Sequence, residues 1–125
     1  MIVTAKKNDA VAKMSFASVY PHYLDRIEKH GRTKAELHEV INWLTGYNED
    51  QLQQLLTDKV TFETFYAQAE IHPNAHLITG VICGYRIETI PDEFTLYRHC
   101  RYLDKLVDEL AKGRKMEKIL RTPKT

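Results

Sequence analysis

Residues 33–46 read TKAELHEVINWLTG, a stretch in which the start, the buried face and the stop of one helix are all written. The Thr33 hydroxyl is placed to accept the backbone N–H of Glu36, while the Glu36 carboxylate returns to the N–H of Thr33, the reciprocal pairing of a capping box. Leu37, Val40, Ile41 and Leu44 follow at i, i+3, i+4 and i+7, which puts these apolar side chains on one face. Gly46 closes the last turn, where a left-handed backbone costs no Cβ clash. A helix over 34–45 with one apolar face needs other elements to cover it, and the neighbouring sequence supplies them.

Upstream, Phe16, Val19, Tyr20, Tyr23, Leu24 and Ile27 form a second apolar stripe, predicting a helix that ends at His30 with Gly31 as its stop. Pro21 lacks an N–H and fits a first turn, so the spacing predicts Ser18 as the cap, with Phe16 in the entering segment. Residues 1–14 show no periodicity and read as a flexible N-terminal arm. The connection to 34–45 is short, so the two helices must pack as a hairpin or a corner.

Downstream, Asn48 caps a short helix over 49–57 carrying Leu52, Leu55 and Leu56, and Thr61 opens another over 62–69 carrying Phe62, Phe65, Tyr66 and Ala69. Pro91 begins a long helix over 92–112, faced by Leu96, Cys100, Leu103, Val107 and Leu110, and Gly113 ends it. A last helix over 114–120 offers Met116, Ile119 and Leu120 before a frayed tail at 122–125. The segment 71–90, IHPNAHLITGVICGYRIETI, carries two patterns. Its β-branched residues suit strands, whereas Asn74 as cap, Leu77, Ile78, Val81 and Ile82 as face, and Gly84 as stop suit a helix over 75–83. A lone strand cannot satisfy its backbone groups, so the helix is the expected state. The fold class expected is all-α, a compact orthogonal bundle of about five to seven helices in a single domain over 15–121. The alternative is an α+β fold with a short strand pair around 78–90.

The composition, 43% hydrophobic and 28% charged with a net charge of +1, excludes disordered and collagen-like chains. No apolar run approaches the roughly 18 residues of a membrane span, and the N-terminus lacks the apolar core of a signal peptide. A cytoplasmic location is expected, with Cys83 and Cys100 as reduced thiols. Charge is uneven: between Glu36 and Glu70 seven acids face Lys59 alone, while from Lys112 to the end six bases face Glu117 alone. Such asymmetry favours self-association or a partner of opposite sign.

Taken together, the blocks GRTKAELHEVINWLTGY (31–47), GVICGYRIE (80–88) and RYLDKLVDELAKGRKMEKILR (101–121), with SVYPHY at 18–23, resemble the small bacterial family named domain of unknown function 2200. The resemblance implies a compact, mostly helical fold and a bacterial origin. It brings no activity, cofactor or catalytic residue.

Several groups have the residue types of a site. Tyr85, Arg86, Arg98, Arg101 and Tyr102 are placed to form a ligand-binding pocket for an anion if 85–102 folds back, because guanidinium and phenol groups recognise phosphate and carboxylate. The competing expectation is that the arginines pair along their own helix, as Arg101 with Asp104 at i, i+3. His72 and His76 form HxxxH, but Pro73 and Asn74 break the helix that would bring the imidazoles together, so no metal is expected. Cys83, in an apolar run, reads as buried and inert rather than as a nucleophile. The 34–45 and 49–57 pair has the form of a helix-turn-helix, but its second helix has no Lys or Arg for phosphates, so nucleic acid is not the partner expected there. Lys112, Lys115 and Lys118 on the basic segment, and Trp43 one step off the core face, are the candidate interaction surface. The functional expectation is a binding or interaction module without catalytic activity and without a cofactor, with a homodimer open as its assembly. The alternatives are a small enzyme or binder of an anionic small molecule at 85–102, and weak nucleic-acid binding through 112–124.

Overall fold

In the computed structural model, which describes residues 2–121, the local code around Gly46 is formed as read. The elements in chain order are α1 (Ala5–Ala12), α2 (Phe16–Glu28), α3 (Lys34–Thr45), α4 (Glu49–Thr57), α5 (Phe62–Ala67), β1 (Val81–Ile82), β2 (Tyr85–Arg86), α6 (Thr95–Ala111) and α7 (Met116–Ile119). Single 3₁₀ turns stand at Ala75–Leu77, Ile87–Thr89 and Asp92–Phe94. The tail expected at 122–125 lies outside the described residues.

Both halves of the Thr33/Glu36 capping box are made, and Gly46 is left-handed at φ 75°. Asn48 and Gln51 form a second capping box at the start of α4. Leu37, Val40, Ile41 and Leu44 are fully buried, as are Phe16 and Ile27 of α2, Leu52 of α4, Phe65 of α5, and Leu103, Leu106 and Leu110 of α6. Helix α6 is the axis of this core, since α1, α2, α3, α5, α7 and β1 all lie against it. An aromatic stack ties the first half together: the Phe16 ring lies parallel to Phe65 at 4.0 Å and edge-on to Phe62 at 5.6 Å. Such pairs add to what area burial alone gives.

Three expectations are corrected. Residues 5–12, expected to be arm, form α1. Its Thr4 cap accepts the N–H of Lys7 at 3.2 Å, and its Asn8 carboxamide accepts the N–H of Tyr97 at 3.2 Å. Its buried side of small or flanking residues, Ala12 and Val3, gives no periodic signal.

Helix α2 starts at Phe16 rather than Ser18 and runs through Pro21. Its entry is fixed from outside, because Ser15 bridges Thr61, with the Phe16 N–H on the Val60 carbonyl at 2.9 Å and the Phe62 N–H on the Met14 carbonyl at 2.8 Å.

The helix expected over 75–83 is instead a 3₁₀ turn followed by a hairpin, in which Val81 pairs with Arg86 and Ile82 with Tyr85. Cys83 and Gly84 both have positive φ, 53° and 82°, the requirement of the two-residue hairpin turn whose twist matches its strands. Ile82 and Tyr85 face inward while Val81 and Arg86 face out, so the strand-pair alternative describes this segment. The architecture is a helical bundle with one small antiparallel hairpin.

Gly31 and Gly46 separate two costs of replacing glycine. Both are left-handed, at φ 80° and 75°; a Cβ on Gly31 meets nothing within 4 Å, whereas one on Gly46 lies 3.1 Å from the Glu70 carbonyl oxygen. Gly31→Ala is expected to cost about 1 kcal/mol from backbone strain alone. Gly46→Ala is expected to cost at least about 1 kcal/mol more from overpacking, a difference readable in parallel urea titrations.

Candidate functional site

Helix α6 places Tyr97, Arg101 and Asp104 on one face at i, i+4 and i+7, with Cys100 beside them. Val11 of α1, Met14, Val19 and Tyr23 of α2, and Phe62 of α5 complete a partly open cavity of about 160 Å³ over Cys100, Arg101 and Asp104. Most of its wall is apolar; Tyr23, Arg101 and Asp104 form the polar end. The Arg101 Nη1 donates to Asp104 Oδ2 at 2.5 Å, and its Nη2 donates to the Tyr97 hydroxyl at 2.6 Å. The guanidinium carbon also sits 4.6 Å from the centre of the Tyr97 ring and 5.4 Å from that of Tyr85, two cation–π contacts that favour the charge. Lys7 of α1 donates to the Tyr85 hydroxyl at 3.1 Å.

The electrostatics follow from burial and these partners. Desolvation pushes the Asp104 carboxyl above its usual range, and the nearby Arg101 pulls it only part of the way back. Burial raises the Tyr23 phenol well above 10.0, with Asp104 adding to the shift. Burial likewise pushes the Cys100 thiol far up, so it stays protonated. Hydrogen bonds from Tyr97 and Lys7 hold the Tyr85 phenol below its ordinary value. A thiol kept protonated and an arginine already ion-paired leave this cavity with hydrogen-bonding groups but without an activated nucleophile.

A second polar cluster, built around a buried histidine, links three helices. His38 of α3 is 6% exposed, with Nδ1 at 2.7 Å from Glu49 Oε1 and Nε2 against the Tyr20 hydroxyl. An ionised carboxylate only accepts, so Nδ1 carries the proton and Nε2 accepts from Tyr20. The Glu49 carboxyl is lowered, by a hydrogen bond from Gln53 most and by His38 as well, against the effect of burial. Beside it lies an open groove of about 450 Å³ lined by residues that include Lys34, His38, Asn42, Glu49 and Gln53.

The five residues expected to share an anion pocket do not come together in one. Tyr85 and Arg101 meet, with the guanidinium over the Tyr85 ring, and of the two Arg101 lines the cavity. Arg98 turns to the Ile90 carbonyl at 2.5 Å and Asp92 at 2.6 Å, Tyr102 is buried, and Arg86 is exposed with Glu88 at 3.7 Å. The i, i+3 pairing of Arg101 with Asp104 is the contact that forms. Trp43 stacks on His72 at 4.2 Å. His72 Nδ1 accepts the Asn74 N–H at 3.0 Å while His76 Nδ1 lies 2.8 Å from the Pro73 carbonyl, so the two imidazoles serve separate local turns. Lys112 pairs with Asp108 at 3.0 Å, and Lys115 and Lys118 are exposed. Cys83 is exposed rather than buried, because the hairpin turn carries it outward. Sequence reasoning missed His38 and Tyr23 as members of clusters. Only the Arg101–Asp104 spacing gave a signal, since the remaining partners come from separate elements.

A small helical domain whose buried charges are internally matched is the class of protein these features define. The chain belongs to the DUF2200 family, described as uncharacterized proteins conserved in bacteria, whose model matches residues 10–121. It is similar to uncharacterized protein SP1917, whose crystal structure shares 38% sequence identity and a TM-score of 0.83, covering 93% of this chain and 97% of that one. No match was found among curated proteins. Among the described residues no helix is long and apolar enough to cross a membrane, and no group of three His, Cys, Asp or Glu side chains is placed to hold a metal ion.

His99 packs on the far side of α6 against the Tyr66 and Tyr102 rings. Burial first, and Arg98 second, lower its pKa from 6.5 to about 4. The unfolded chain therefore binds a proton in this window that the folded chain does not, so the His99 contribution to stability is full above 6.5 and is lost as pH falls towards 4. Denaturation midpoints measured at steps across that window should fall less steeply for His99→Gln than for the parent chain.

Proposed function

We propose that this domain is a cytoplasmic binding module without catalytic activity, and that its ligand is a small molecule held in the cavity between α1, α2, α5 and α6. The observation that carries this reading is the matched pair at the cavity's polar end. Arg101 and Asp104 face each other at 2.5 Å, so the site offers shape, apolar contact and hydrogen bonding in place of a free base or nucleophile. The two free thiols fit a reducing compartment.

The anionic-ligand alternative loses support from the same contacts, since the guanidinium groups of Arg98 and Arg101 are engaged by Asp92 and Asp104. The nucleic-acid alternative loses support similarly. Arg114 and Arg121 of the basic segment both close on the buried Glu109, at 2.8 Å and 2.5 Å, and Lys112 is held by Asp108.

A small-fragment screen read by amide and methyl NMR shifts tests the reading. At least one fragment is expected to move the signals of Val11, Val19 and Phe62 and to stabilise the chain by about 2.7 kcal/mol at a hundredfold excess over its Kd. Both effects should vanish in Met14→Trp, which fills the cavity from its exposed rim. Fragments that move only surface signals elsewhere would remove the cavity from the account.

A further inference from the structure

We propose that the Arg101–Asp104 cavity selects neutral molecules of single-ring size that carry one hydrogen-bond donor, such as a phenol or another small hydroxylated ring. This rests on the binding-module reading and narrows it to a chemical class.

Size comes from the volume between the walls. An apolar protein cavity of about 150 Å³ holds one benzene ring, and this cavity measures about 160 Å³ between Val11, Val19, Phe62 and Cys100. A single ring fits, while a nucleotide or a peptide segment does not.

Neutrality comes from charge balance. The cavity wall holds one cation and one anion in contact, Arg101 and Asp104, with side chains only 19% and 18% exposed. An incoming anion would lie against Asp104 and an incoming cation against Arg101, and either would bring into a desolvated site a charge that nothing there remains to neutralise.

The donor comes from the acceptor capacity that remains. A carboxylate has about four lone-pair positions. Asp104 accepts from Arg101 Nη1 at 2.5 Å, which leaves positions open on the residue that forms the cavity's polar end. A hydroxyl or a neutral N–H satisfies them; a purely hydrocarbon ring leaves them empty.

The test uses the full chain at pH 7, titrated with phenol, toluene, benzoate and benzylamine while the NMR signals of Val11, Val19 and Phe62 are followed. Phenol is expected to bind at least about tenfold more tightly than toluene, and benzoate and benzylamine more weakly still, as one retained hydrogen bond and one avoided buried charge imply. Met14→Trp should abolish all four responses. In Asp104→Asn, checked for folding by circular dichroism, the wall becomes net positive, so benzoate should gain on phenol and the order should invert. Benzoate or benzylamine binding the parent chain as tightly as phenol would overturn the selectivity while leaving the binding reading intact, as would toluene binding more tightly than phenol. An unchanged order in Asp104→Asn would also overturn it. If none of the four probes moves the cavity signals, the selectivity and the assignment of this cavity both fall.

Discussion

Charge compensation along α6 is the constraint on which the rest of the structure depends. This helix carries the core residues Leu103, Leu106 and Leu110, yet it also buries Asp108 and Glu109 to 5% exposure each and sets Arg101 and Asp104 under the tyrosines. A buried charge without a partner costs about 3–5 kcal/mol, comparable to a large share of a small domain's stability. The two buried acids therefore fix other parts of the chain. Asp108 holds Arg26 of α2, and Glu109 holds both Arg114 and Arg121 from the segment around α7. The basic character of the C-terminal segment is in this sense partly internal, with two of its arginines serving acids of the preceding helix. The same logic closes the cavity: α1 is seated by Asn8 and Lys7 on the Tyr97 and Tyr85 end of the Arg101 cluster.

How far the fold was legible in the sequence depended on whether an element's cause is local. Helices α3 and α4 were readable to the residue, because the Thr33/Glu36 and Asn48/Gln51 boxes and Gly46 act within a turn of themselves. The start of α2 was not, since the backbone pairing of Ser15 with Thr61 lies some distance along the chain and overrides the preference that Pro21 expresses. Helix α1 was missed because its packing uses an alanine and the side-chain hydrogen bonds of Lys7 and Asn8. The hairpin was expected only as the alternative, because each strand has two residues and its turn puts Cys83, a residue without glycine's freedom, at φ 53°. Here the helical spacing of Leu77, Ile78, Val81 and Ile82 competed with the turn signal of Gly84, and tertiary pairing decided for the strands.

The site was legible in the same partial way. Arg101 and Asp104 are three residues apart on one helix, so their pairing could be read directly. The remainder of the cluster comes from α1, α2 and β2, and no spacing rule brings Lys7, Tyr23 and Tyr85 together. His38 shows the limit most plainly. It stands beside Leu37 on a helix read correctly, yet its partners Tyr20 and Glu49 belong to the helices on either side. Charge placed inside a fold of this size leaves chemistry quenched by its own neighbours, and what remains open is a small apolar space with an acceptor at one end.

The measurement that addresses this account most directly is a double-mutant cycle on Arg101 and Asp104, using Arg101→Met, Asp104→Leu and both together, with unfolding free energies from urea titration. If α6 depends on matched buried charge, Asp104→Leu alone should cost about 3–5 kcal/mol. The double variant should recover most of that loss, giving a coupling of at least about 2 kcal/mol. Costs that simply add, within about 0.5 kcal/mol, would contradict the claim that these two charges are held in the fold by one another.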